Sequence, residues 1–154
     1  MHPKPTIRQC AFLLSIIALA LLHVSPSWAD VVVIVNPENP VNHLSLHEVK
    51  TIFMGRLRQL PETNQIIEVL DQAHTSLTFK TFYMDIIDIN LSKLARYRAS
   101  YVFSGQGTLP TELTDHQSIR QHVAQHNESI GYIDSQYVND TVKVVFIWPE
   151  SPSP

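Results

Sequence analysis

Ser76 and Thr78 stand immediately ahead of Phe79, Phe82, Tyr83 and Ile86, an apolar spacing that predicts a helix and places both hydroxyls in its first turn. A helix N-terminus offers unpaired backbone amides and a partial positive charge. Hydroxyls placed there can complete a site for a small anion without any formal cation. The position also has a plainer use, since Thr75 or Ser76 can cap the helix by accepting from its first amides. A second stretch with ligand-binding chemistry is Ser104-Gly105-Gln106-Gly107. Its glycines let backbone amides approach an anion closely, or simply turn the chain toward Pro110. It lacks the flanking pattern of a P-loop or a dinucleotide fingerprint, so no nucleotide is assigned.

The other reactive side chains point to less. His122 and His126 are one helical turn apart, and His43 and His47 have the same separation. His43 precedes the expected cap Ser45, so that pair shares no helical face. The pair at 122 and 126 has neither the intervening glutamate of a zinc protease nor a third ligand at a recognised spacing, and reads as solvated or core-edge. No metal and no cofactor are expected. No serine sits in a Gly-x-Ser-x-Gly elbow and no ordered triad can be read. Asp85 and Asp88, one turn apart, read as a solvated helix face rather than an acid/base pair. No enzyme is expected. Tyr97, Tyr101 and Phe103 surround Arg98, as core rings or as an exposed patch where a partner docks.

The elements that must position these groups follow from pattern. Val31 to Val35 is an unbroken β-branched run that predicts a strand buried on both faces, stopped by Asn36-Pro37-Glu38-Asn39-Pro40. Ser45-Leu46-His47-Glu48 reads as a capping box, with Val49, Ile52 and Phe53 on the apolar face and an end near Gly55. Ile66 to Leu70 predicts a second strand and Asp71 to Thr75 a polar loop before the helix of Phe79 and Phe82. A short helix is expected from Asn90 through Leu94 to Tyr97. Asp115 caps a helix with Ile119 and Val123 inward, and Ser129 to Ile133 and Val142 to Ile147 read as strands. Strands alternating with helices imply an α/β fold, a small mixed, mostly parallel sheet with helices on its faces.

Lys4 and Arg8, an apolar run from Ala11 to Leu22, and Ser25-Pro26-Ser27-Trp28-Ala29 form the order of a cleavable secretory signal, with cleavage expected after Ala29. Residues 30–148 are expected as one domain and 149–154 as a flexible Pro/Ser-rich tail. The apolar run is shorter than the roughly 20 residues of a membrane span, and the mature chain has no longer one. Cys10 leaves with the signal, so no disulfide is expected. Loss of Lys4 and Arg8 from 11 basic residues, against 14 acidic ones, leaves a mature charge of about −5. There is no basic stripe for nucleic acid.

In order along the chain, Leu44-Ser45-Leu46-His47-Glu48-Val49, Ile52-Phe53-Met54-Gly55-Arg56, Phe103-Ser104-Gly105-Gln106-Gly107 and Ser129-Ile130-Gly131-Tyr132-Ile133-Asp134 resemble phosphate ABC transporter substrate-binding proteins of the type II periplasmic-binding-protein class, above all their short single-lobe relatives. The resemblance implies one lobe of a two-lobe clamshell that grips an anion in its cleft. It places Ser76, Leu77 and Thr78 on the family's Ser-Gly-Thr, Gln72 on its arginine and His74 on its acidic residue, with Asp71 beside them. The implied site has Asp71, Gln72, Ser76 and Thr78 as one wall, and Ser104, Gly105 and Gly107 contributing amides. The implied ligand is a small oxyanion, phosphate by family default, bound by a periplasmic protein. The alternative is an interaction module that has kept the fold, lost the ligand, and docks on a membrane sensor or transporter component.

Overall fold

The β-branched run Val31–Val35 forms strand β1, with all five residues buried. Side chains alternate across a strand. Val31, Val33 and Val35 enter one core, and Val32 and Ile34 enter another on the opposite face. This computed structural model describes residues 30–148 except 61, 62 and 64. The expected signal at 1–29 and tail at 149–154 lie outside the described residues.

Helix α1 (Leu46–Phe53) opens on the expected capping box: Ser45 Oγ accepts from the Glu48 N–H at 3.3 Å, and Glu48 Oε2 accepts from the Ser45 N–H at 2.7 Å. Strand β2 (Glu68–Gln72) starts two residues after the expected Ile66 and runs on through Asp71 and Gln72, whose polarity predicts a loop. Helix α2 (Leu77–Thr81) continues as a π-helical turn over Phe82–Ile86. Helix α3 (Leu91–Phe103) outruns its expected end at Tyr97 by six residues, although Leu94 alone among its side chains is fully buried. Strand β3 (Thr111–Leu113), helix α4 (His116–Gln125), and strands β4 (Ser129–Asp134) and β5 (Lys143–Trp148) complete the order. The sheet has five strands in the order β3-β2-β4-β1-β5. β2 pairs in parallel with β3 and β4, whereas β1 runs antiparallel to β4 and β5.

Helices α1, α2 and α3 cover one face through Ile52, Phe53, Phe79, Phe82, Ile86 and Leu94. Helix α4 covers the other through Ile119 and Val123. The second contact is close: a Cβ at Gly131 of β4 would lie 2.6 Å from Ile119 Cγ2. Two buried asparagines tie the chain after β1 to α4. Asn36 Nδ2 donates to the carbonyls of Val123 and Ala124 at 3.1 and 2.9 Å, satisfying the end of that helix, and Asn39 Nδ2 donates to the Asn127 carbonyl at 2.9 Å. Among the described residues no helix is long and apolar enough to cross a membrane.

Candidate functional site

The C-terminal end of β2 delivers Asp71 into the core, where it is 1% exposed. A buried carboxylate is tolerated only when paired and hydrogen-bonded. Asp71 is both. Its Oδ1 accepts from the Tyr132 hydroxyl at 2.5 Å and the Gln72 N–H at 3.1 Å. Its Oδ2 accepts from Arg98 Nη2 at 2.6 Å and the Tyr83 hydroxyl at 3.1 Å. Burial, followed by the charge of Asp71, pushes both tyrosine hydroxyls well above the usual phenol range, so each keeps its proton and donates. Burial works against the Arg98 charge, but Tyr83 and Asp71 outweigh it and hold the guanidinium above its usual range.

Local structure explains how these groups meet. The π-helical turn, closed by Ile87 N–H donating to the Phe82 carbonyl at 2.9 Å, points the consecutive residues Phe82 and Tyr83 inward together. Phe82 stacks on Tyr132 at 3.7 Å between ring centroids, while Tyr83 reaches Asp71. Arg98 arrives from α3, its guanidinium 4.9 Å from the Tyr83 ring centroid and 5.8 Å from that of Phe79. Its second nitrogen, Nη1, lies 3.1 Å from His74 Nε2. Arginine only donates, so His74 Nε2 accepts and its proton sits on Nδ1, 3.3 Å from Glu112 Oε2.

Gln72, also 1% exposed, fixes a second imidazole. Its Nε2 donates to the Tyr132 carbonyl at 3.3 Å and to His116 Nδ1 at 3.0 Å, and the Asp134 N–H also points at Nδ1, at 3.3 Å. Nδ1 is therefore the acceptor, and the ring proton lies on Nε2, 3.4 Å from Thr78 Oγ1. Burial holds His116 below the usual imidazole range against the opposing pull of Asp134 and Asp115, in keeping with a neutral ring. Ser76 caps α2, its Oγ accepting from the Phe79 N–H at 3.0 Å. The capping bond uses a lone pair and leaves the hydroxyl hydrogen of Ser76 free to donate. Thr78 is in the same state when its oxygen accepts from His116.

The structure thus gathers Asp71, Gln72, Ser76 and Thr78 at one end of β2, with Asp71 inside and the two hydroxyls outside. It places Ser104, Gly105 and Gly107 elsewhere. Ser104 caps the end of α3 and its Oγ donates to the Tyr101 carbonyl at 3.1 Å. Gly105 has φ +68 and nothing within 4 Å of where a Cβ would stand, and a Cβ on Gly107 would lie 2.6 Å from Tyr101 Oη and 2.9 Å from Arg58 Nη2. Gly107 lines a cavity of about 380 Å³ with Ile66, Glu68 and Tyr101, beside the start of β2 rather than its end. Tyr83, Arg98, His116 and Tyr132 are the members that sequence reasoning missed. Their one available signal was tyrosine, rather than phenylalanine, at two inward positions, since a buried hydroxyl needs a partner.

Asp85 and Asp88 are both exposed, but Asp88, at φ +62, lies past the end of the π-helical turn, so the two do not share a helix face. His122 and His126 are half-buried with rings stacked 4.1 Å apart, and His122 Nε2 lies 2.8 Å from Glu68 Oε2. Among the described residues no three His, Cys, Asp or Glu side chains group to hold a metal ion.

No protein-family model matches the chain. Among curated proteins, 101 residues are 27% identical to the mast/stem cell growth factor receptor-related protein Kit of Xenopus laevis, covering 65% of this chain and 10% of that one. Solved structures give a broader match. A putative phosphate ABC transporter substrate-binding protein with bound phosphate from Clostridium perfringens superimposes with a TM-score of 0.62 at 24% identity, covering 76% of this chain and 45% of its own. An ABC-type phosphate transport receptor from Vibrio cholerae gives 0.59 at 17%, covering 76% and 46%. PstS from Borrelia burgdorferi gives 0.60 at 14%, covering 81% and 50%. These neighbours are binding proteins of transport systems rather than enzymes. The chain spans half or less of their length, and over that span it has the α/β fold of phosphate ABC transporter substrate-binding proteins.

Proposed function

We propose that the chain is an exported, single-lobe binding domain that recognises a small oxyanion, with inorganic phosphate as the first candidate, at the C-terminal end of β2. The observation that carries this reading is the state of the two hydroxyls in the first turn of α2. Ser76 Oγ already accepts from the Phe79 amide, and Thr78 Oγ1 faces the proton-bearing Nε2 of His116. Each oxygen already accepts one hydrogen bond and keeps its hydrogen to give, which suits an acceptor-only ligand. The chain from Gln72 through His116 to Thr78 polarises the last hydroxyl further. Ser76 and Thr78 are uncharged, so their share of the attraction rests on directed hydrogen bonds. One open lobe buries little of a ligand, and its affinity is expected to be modest.

Titration calorimetry with phosphate, and with sulfate as comparison, tests the reading. Saturable heat is expected, weakened about tenfold or more by Thr78→Val, the loss of one hydrogen bond to a charged partner. A specific observation favours a second reading. Phe103 at the end of α3 is 96% exposed and Val102 is 48% exposed, on a helix that buries little of itself. In this reading the lobe docks on a membrane-bound transporter or sensor component through that end. Absence of heat with either anion, from folded protein, would favour it.

A further inference from the structure

The proposed site has a formal cation that arrives from an unexpected element. The two nitrogens at the tip of Arg98 have different tasks. Nη2 is spent inside, donating to Asp71 Oδ2 and to the Tyr83 hydroxyl, both at 2.6 Å. Nη1 points the other way and has a single neighbour among the hydrogen bonds described, the Nε2 of His74 at 3.1 Å. The Arg98 side chain is only 12% exposed, whereas that of His74 is 58% exposed. His74 is held lightly, by Glu112 at 3.3 Å, itself half exposed, and by an edge contact to Phe79 at 4.7 Å between ring centroids.

We infer that Arg98 is the cation that meets the oxyanion, through Nη1, and that the neutral His74 ring is its removable cover. The inference rests on the oxyanion reading above and adds to it the residue that sets ligand charge preference. The physical case is a comparison of acceptors. An imidazole nitrogen is a neutral acceptor, whereas an oxyanion brings a full opposite charge to the guanidinium, which the imidazole cannot supply. An incoming anion therefore displaces His74 at little cost, while Asp71 and Tyr83 keep the guanidinium in place and spare the ligand the entropy of ordering it. Lysine cannot divide these tasks, because its single ammonium would be taken by Asp71 and Tyr83.

The test is calorimetry with inorganic phosphate on the wild type, Arg98→Lys and His74→Ala, each with its melting temperature recorded. Arg98→Lys is expected to weaken binding about tenfold or more while retaining a cooperative transition. His74→Ala, a change at an exposed ring, is expected to tighten it about two- to fivefold by removing the competitor for Nη1. Wild-type binding that persists unchanged in folded Arg98→Lys would overturn the inference and leave the oxyanion reading standing. Weaker binding in His74→Ala would overturn the role of His74 as a cover, and would hold even if Arg98→Lys failed to fold. Absence of saturable heat from both wild type and His74→Ala would overturn the oxyanion reading and this inference with it.

Discussion

Asp71 is the residue on which the rest of the cluster depends. It accepts from two tyrosines, an arginine and a backbone amide while almost wholly out of water. Asp71→Asn leaves Arg98 without its counter-charge, and breaking a buried pair from one side costs about 3–5 kcal/mol. A loss of less than about 1 kcal/mol in unfolding free energy, measured in urea, would show that the pair is dispensable. His116 supplies a pH dependence with a definite sign. Burial holds its folded pKa below the ordinary value, and its Nδ1 faces two N–H donors, so the folded state prefers the neutral ring. This contribution is fully present above about pH 6.5 and is lost as pH falls through the lower folded value. Glu68 is also held low, where Ser129 and His122 outweigh burial, but its contribution is lost only below the ordinary carboxylate range. The drop in melting temperature between pH 7.5 and 5.5 should therefore shrink in His116→Gln. An unchanged drop would assign it to other groups.

Two elements set the geometry of the site. Helix α2 depends on Ser76 at its start, and Ser76→Ala should cost about 1 kcal/mol of stability, with Ser76→Gly milder, as for other serine caps. Equal stability of Ser76→Ala and wild type in urea would remove the capping role. Helix α4 holds His116 and rests on β4 at Gly131, where Gly131→Ala would press on Ile119 and cost about 1–3 kcal/mol. At this scale the sequence was legible where one local rule acted alone. The capping box at Ser45, the buried run of β1, and the caps at Ser76 and Asp115 follow from residue type and spacing. It was not legible where long-range contacts decide. Asp71 and Gln72 read as loop because they are polar, yet they extend β2 because distant Tyr83, Tyr132 and Arg98 satisfy them. β3 is three residues long and mostly exposed, so it carries no hydrophobic pattern. The length of α3 was not legible because beyond Leu94 its side chains bury no periodic apolar face, and its apolar end, Val102 and Phe103, is exposed.

Across the described residues the sheet carries Asp71 and Gln72 to a strand end, and the helices bring Thr78, Arg98 and His116 to meet them, with Ser76 at the start of α2. The hydroxyls were legible from their place at a helix start, whereas the arginine came from α3, 27 residues beyond Asp71. Ser104, Gly105 and Gly107 follow the end of that same helix, and Gly107 lines the cavity beside the start of β2. The proposed oxyanion site has a location as well as an affinity, and an amide-resolved NMR titration of the isotope-labelled protein with inorganic phosphate reads both. Saturable shifts are expected at Gln72, Ser76, Thr78 and His116, with Ser104 to Gly107 unmoved. No saturable shift, or shifts concentrated at Ser104 to Gly107, would rule this site out.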